Sequence, residues 1–583
     1  MKRSWRILIL LVGVVVVLAA AWLWWNRPQR AEMAAYVPQD SLIYFEADNL
    51  PEVLSAIGST DAWHTLAPAA GVRQDFTRLG WLTSFARWTG IGSAESVVFS
   101  RAQVAIAILG MDAKEERDLA LNISPRLVVA VETHTSESRT RRVVEQIVGD
   151  FARRAYGDPK FEQSERGGTH FAIWSSPSGG KKIVAVVAGS AAFIGNDEAA
   201  VETCLAAWRG ERASLAGDPE LAGMRRRVGG DDALAFGYVP QASAPKLTQI
   251  AALVLAGSSQ ASAGEQRVLA TVLPQIASRV LGGASWSAKV ESGAVEDNYY
   301  FALPSQLTTR LSVALETSPE RSFQSAEFLP ADAHQVTRYN FSEPYETWRG
   351  VNAVISSQLD PTFAPFAATF LDKSLQPFGI DSPRDFLRAL GSEVATARLN
   401  DGGDEGDEMI FVGAVRDEAT LRALIMKRLG ARTRIVRVGD ADMLVSPDAE
   451  LGAASLFAGH VILGSEQGVS RCLEARFARK TIATSDAFKK PLALASQADA
   501  PLVTTLTDER EKALRFVALA ARRSAENKNA PDAATLARAV ASLPYSLTIS
   551  KLKVDGIERT TISPFGLLAD IALEFSPEAQ AVK

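Results

Sequence analysis

Five histidines and two cysteines are the residues of this chain best suited to hold a metal or attack a substrate. His64, His134, His170, His334 and His460 are scattered. No two stand three or four residues apart, the spacing that brings two imidazoles onto one helix face. No metal site is expected. Cys204 and Cys472 each sit in an apolar stripe, Val201/Cys204/Leu205/Trp208 and Val469/Cys472/Leu473/Phe477. A free cysteine in such a stripe behaves as a small hydrophobe, so core packing is the expected role. The alternative, a disulfide, needs the two stripes to meet with Cα atoms within about 7 Å.

A serine nucleophile activated by lysine one helical turn away would read Ser-x-x-Lys. That spacing occurs at Ser178-Gly179-Gly180-Lys181 and at Ser243-Ala244-Pro245-Lys246. The first lies in a Pro/Gly-rich turn and the second contains proline. Neither opens a clear helix, and no Lys-Thr-Gly or Gly-x-Ser-x-Gly motif accompanies them. Gly179-Gly180-Lys181 also lacks the phosphate-loop spacing. The acidic run Asp401 to Glu408 offers oxygen ligands for calcium, but it fits no calcium-loop pattern. It reads as a solvated hairpin tip, as does the mixed-charge run Asp112 to Asp118. Arg139/Arg141/Arg142, Arg153/Arg154 and Arg225-Arg226-Arg227 read as outer helix faces. No catalytic, cofactor-binding or metal-binding residue is expected, and no cofactor.

The elements that would hold such residues follow from composition. The 583 residues are 47% hydrophobic and 22% charged, which is globular rather than disordered. Length alone allows about four domains of ~150 residues, or two large ones. Ile7 to Trp25 is an uninterrupted uncharged run. As a helix it spans about 28 Å, enough for a hydrocarbon core of ~30 Å. Lys2, Arg3 and Arg6 precede it, while Trp22, Trp24 and Trp25 close it. The basic end is expected inside and the bulk of the chain outside, on an uncleaved signal anchor. The chain carries a net charge of −5, and five of its basic residues lie in 1–30. The remainder is more acidic still, which excludes an electrostatic footprint for nucleic acid.

After the anchor the sequence contains itself twice. Tyr36-Val37-Pro38-Gln39-Asp40 opens a strand, as Phe328-Leu329-Pro330-Ala331-Asp332 does later. Proline near the start of a helix follows each, at Pro51 and Pro344. Gly90-Ile91 and Gly379-Ile380 precede the next strands. Amphipathic helices then run into Gly157 and Gly430. Ile194, Glu198, Val201, Cys204, Leu205 and Ala207 align without a gap onto Ile462, Glu466, Val469, Cys472, Leu473 and Ala475. The expected fold is α+β: a single N-terminal transmembrane helix, then two tandem homologous copies of a mainly antiparallel sheet with helices on one face. The parts are 1–30 (cytoplasmic stub and anchor), 36–316 (first copy), 317–327 (linker), 328–576 (second copy) and 577–583 (tail). Whether the two sheets merge is open at this point. The apolar helices at Ile250–Leu255 and Phe516–Ala520 read as core helices, with lids over an apolar cavity as the alternative.

The anchor, the entry Tyr36 to Glu46 and the phrase Thr60-Asp61-Ala62-Trp63 together resemble a domain-of-unknown-function family of bacterial membrane-anchored envelope proteins. The resemblance implies a place in the bacterial inner membrane, single-pass through residues 7–25, with the C-terminal bulk in the periplasm. It implies no activity and no site residue. The expected function is a non-enzymatic envelope scaffold or interaction module, with an envelope protein or lipid as partner. The alternatives are a carrier of lipid or another hydrophobic ligand and, more remotely, a periplasmic serine hydrolase.

Overall fold

The computed structural model describes residues 30–72, 102–115, 121–166, 168–258, 274–275, 277–319, 323–359, 361, 375–376, 380, 383–399, 408–499, 501–523 and 532–574. The anchor segment 7–25, Gly90-Ile91, Gly379, the acidic residues 401–407 and the tail 577–583 lie outside these residues. Among the described residues no helix is long and apolar enough to cross a membrane.

The first half of the chain supplies β1 (Ile43–Ala47), β2 (Gln103–Glu115), β3 (Leu121–Glu132), β4 (Lys160–Arg166), β5 (Thr169–Ser175), β6 (Lys182–Ala188), β7 (Ala191–Gly195), β8 (Ala235–Val239), β9 (Ala284–Glu291) and β10 (Ala294–Ala302). The second supplies β11 (Ala333–Asn340), β12 (Leu390–Leu399), β13 (Glu408–Val415), β14 (Arg434–Val438), β15 (Ala441–Val445), β16 (Ala453–Phe457), β17 (His460–Gly464), β18 (Val503–Thr507), β19 (Ser546–Lys553) and β20 (Gly556–Ser563). All join one 20-stranded antiparallel sheet. From one edge the order is β4-β5-β6-β7-β3-β2-β1-β8-β9-β10. It continues in mirrored order as β20-β19-β18-β11-β12-β13-β17-β16-β15-β14.

The two halves meet at β10 and β20. Asn298 pairs with Thr560, each the fifth residue of its strand. On either side the second residue of one strand faces the eighth of the other, Val295 with Ser563 and Ile557 with Phe301. The register therefore has a local twofold through the Asn298–Thr560 pair, the pattern of an isologous contact. The Thr560 hydroxyl donates to Asn298 Oδ1 there at 2.8 Å.

The helices are α1 (Leu50–Gly58), α2 (Asp61–Ala69), α3 (Glu137–Tyr156), α4 (Glu198–Trp208), α5 (Pro219–Arg227), α6 (Ala244–Ser258), α7 (Ser305–Ala314), α8 (Pro344–Ser357), α9 (Pro383–Arg388), α10 (Glu418–Leu429), α11 (Glu466–Ala478), α12 (Asp486–Gln497), α13 (Arg510–Arg523), α14 (Ala533–Ala541) and α15 (Gly566–Glu574). Local chemistry sets their ends. Asp197 caps α4 by accepting from Ala200 N at 2.9 Å, and Ser465 caps α11 from Gly468 N at 2.9 Å. Gly157 and Gly430 stop α3 and α10 at φ of 77° and 87°, a region that costs glycine nothing.

Helices cover both faces of the sheet, not the single face expected. The reason is visible in β6, where Ile183 to Val187 are buried without alternation, so each face needs a cover. On one face α4 and α5 pack in the first half, and α11 and α12 in the second. On the other face α3 covers β5 and β6, while α9 and α10 cover β13, β16 and β17. Near the seam α15 lies on Trp286, Ala288 and Val295. Ala513 and Val517 of α13 bury against Val53, Ile57, Trp63 and Leu66 of the first half. Phe516 stacks on Phe565 at 4.9 Å, so this stretch of α13 is core between the halves rather than a lid.

The gap-free alignment also needs a correction. Phe193 and Ile462 face α4 and α11, whereas Ile194 and Leu463 face the opposite side. Ile194 thus corresponds to Leu463, and the first half has one extra residue before its helix, at Asn196-Asp197 against Ser465. A one-residue slip would turn every strand side chain to the wrong face, so the structure absorbs it in the loop. The stretch 317–327 is tied to β11 where it is described: Thr317 bridges to Phe341, and Ser318 N donates to Asn340 O at 3.1 Å.

Candidate functional site

The chemistry-bearing residues do not converge. His64, His170 and His334 are exposed, on α2, on β5 and on β11. His134 reaches Gln103 Oε1 at 3.0 Å, and His460 is buried against Phe328. Among the described residues no group of three His, Cys, Asp or Glu could hold a metal. Cys204 and Cys472 are buried and unbridged. Burial pushes both thiols up to about 12, far from a reactive thiolate.

Ser178 and Lys181 lie in an exposed turn, where Ser176 Oγ contacts Ser178 Oγ at 3.1 Å and accepts from Lys181 N. Ser243 does stand just before a helix, α6, contrary to the reading of its sequence. Its hydroxyl is buried and donates to Ser41 O at 3.1 Å, while Lys246 is exposed. The basic run in α5 faces outward at Arg226 and Arg227, which are exposed, but not at Arg225. Arg225 pairs with Glu46 and lies over Phe236 at 4.3 Å. Arg227 pairs with Asp555 of the second half and covers Tyr300.

Two places have the make-up of a site. The first is a cavity of about 660 Å³ in the second half, between α9, α10 and the ends of β16 and β17. Its floor is apolar and largely buried: Ile380, Phe386, Leu424, Leu429, Leu451 and Leu463. Its mouth is charged, with Lys427 and Arg428 against Asp385 and Glu450. The first half differs next to the matching place. Counting from the closing pairs of the β4–β5 and β14–β15 turns, Trp174 and Ser446 occupy the same position. Trp174 is 5% exposed and fills the space under α3, its Nε1 close to Gly149. Ser446 is small, and its hydroxyl donates to Leu429 O at 3.0 Å, capping the last turn of α10. Its N–H donates to Gly452, which lines the cavity. Helix α3 has 20 residues and α10 has 12. Beside the cavity the second half therefore has a serine in place of the indole, and its helix is about two turns shorter. A smaller cleft of about 350 Å³ lies beside α3 and β4–β6, with Arg141, Ser164 and His170 on its walls.

The second place is the seam. Asp297 is 1% exposed and accepts from Trp286 Nε1 at 2.9 Å and from Leu567 N at 3.0 Å. Burial pushes its carboxyl up to about 6, against the pull of those two donors. Nearby, Lys512 donates to Glu509 at 2.7 Å and to Asp570 at 3.1 Å, and Ser546 donates to Glu509 at 2.6 Å.

No protein family, curated protein or solved structure matches this chain. Sequence reasoning marked the stops at Gly157 and Gly430, and the unequal helix lengths before them were the available sign of the cavity. Asp297 carried no such sign, since its burial comes from partners on β9 and α15.

Proposed function

We propose that the protein is a membrane-anchored extracytoplasmic scaffold or interaction module, arisen by internal duplication and held in a bacterial inner membrane by residues 7–25. The observation that carries the reading is the sheet itself. Two halves with the same strand order join through matching strands about the Asn298–Thr560 pair. Twenty strands at ~4.8 Å give a continuous ladder roughly 90 Å along its contour, with β4 and β14 as its edges among the described residues. Such a ladder presents surface and separates two edges. The serine hydrolase alternative draws no support from Ser178 or Ser243.

The test combines topology and mass. A reporter at the C-terminus active only outside the cytoplasm tests the anchor, and native mass spectrometry of the full-length protein extracted from its membrane tests the role. A stoichiometric protein partner supports the scaffold. A chain carrying one small molecule and no protein overturns it in favour of a second reading, an amphiphile-binding protein. That second reading is supported by the apolar floor of the 660 Å³ cavity, a size within the ~300–1,000 Å³ of small-molecule sites.

A further inference from the structure

We infer that the cavity between α9, α10 and β16–β17 binds one single-chain phospholipid with a zwitterionic, phosphate-plus-amine headgroup. The inference rests on the amphiphile-binding reading. Its first support is a difference between the halves beside the cavity: the first half packs Trp174 under a longer α3, and the second has Ser446, bonded to the cavity-lining Leu429 and Gly452, and a shorter helix that stops at Gly430. The shortened helix end is itself satisfied, by the Ser446 hydroxyl on Leu429 O, so the opening leaves that carbonyl capped.

The size sets the tail. At about 30 Å³ per water-sized group, a sixteen-carbon chain takes roughly 480 Å³ and two take roughly 960 Å³. The 660 Å³ available holds one. The mouth sets the head. Lys427 and Arg428 sit on the last turn of α10, while Asp385 of α9 and Glu450 before β16 supply two exposed carboxylates. A fatty acid or a purely anionic lipid complements the two cations and is repelled by the two carboxylates. A phosphate beside an ammonium complements both signs.

The experiment is native mass spectrometry of the full-length protein in detergent, titrated with sixteen-carbon lysophosphatidylethanolamine, lysophosphatidylglycerol and palmitate. The expected result is one lysophosphatidylethanolamine per chain, held at least tenfold more tightly than the other two. Lys427→Glu, at an exposed position, should weaken it about tenfold or more. Leu424→Trp, which fills the floor, should remove retention of all three without lowering the unfolding midpoint. Equal or tighter binding of palmitate or lysophosphatidylglycerol overturns the headgroup inference and leaves the amphiphile reading standing. Retention of none, or retention unchanged by both substitutions, overturns inference and reading together. If Leu424→Trp does not fold, Lys427→Glu and Glu450→Lys decide the headgroup question alone.

Discussion

The row of side chains across the centre of the sheet reads Ile106–Phe45–Gly237–Trp286–Tyr299 in the first half and Thr396–Thr337–Thr505–Thr548–Thr561 in the second. The strands are β2, β1, β8, β9 and β10 in one case, and β12, β11, β18, β19 and β20 in the other. Every neighbour in each row is a directly paired residue. Yet one row is aromatic and the other is a line of half-exposed hydroxyls, two pairs of which bond laterally at 3.2 Å and 3.0 Å. Backbone pairing fixed the frame in both halves, and side-chain volume then made different objects of them. The same holds at Trp174 and Ser446. A shared topology therefore carries no assurance of a shared core.

The sharpest way to break this comparison is Trp174→Ala. It should open in the first half a space like the one already present in the second, at a cost of about 3–5 kcal/mol. Ser446→Ala removes one hydrogen bond from α10 and should cost only about 1–2 kcal/mol. Urea unfolding of the two variants reads the difference directly. Equal costs would mean that the two positions do the same work and that the cavity has another origin.

The seam offers the next largest effect. By register Asp297 and Arg559 are counterparts, yet Asp297 is buried and Arg559 is exposed over Tyr299. The folded chain raises the Asp297 carboxyl to about 6 from 3.8. A raised acid binds its proton more tightly in the folded state. Its contribution is therefore complete below about pH 4 and lost as the pH rises through about 6. Two units correspond to about 3 kcal/mol. Plotted against pH, the stability of the wild type minus that of Asp297→Asn should fall by about that amount between pH 4 and 6 and stay level above. A flat difference curve would show that the carboxyl is not held near 6.

Much of this frame was legible in the sequence. The order of elements, the caps, the cysteine stripes and the α+β class are local properties, written in periodicity and turn residues. The merger into one sheet was not, because β10 and β20 are ordinary strands whose pairing is a long-range choice. Nor was the second covered face, since β6 reads as a short apolar run whichever way it is packed. The inward turn of Arg225 depends on Glu46, and the surface pairing of Arg227 on Asp555, both far away along the chain. The cavity was half legible: the two glycine stops marked helices of unequal length, but Trp174 and Ser446 match only once strand register is known.

The smallest effects test the central row itself. At Gly237 an added Cβ would come within 2.8 Å of the Phe45 ring and 3.1 Å of Trp286, which meet edge-to-face at 5.9 Å. Gly237→Val should therefore overpack the aromatic row and cost about 1–3 kcal/mol. Its counterpart Thr505 has a side chain already and a half-exposed hydroxyl bonded to Thr337. Thr505→Val keeps the shape and gives up one bond that water partly replaces, so denaturant unfolding should register a loss below about 1 kcal/mol. The ratio matters more than either value. If Thr505→Val proved as costly as Gly237→Val, the hydroxyl row would be a buried, mutually dependent network like the aromatic one. The two halves would then differ in chemistry alone, and not in how tightly each is packed.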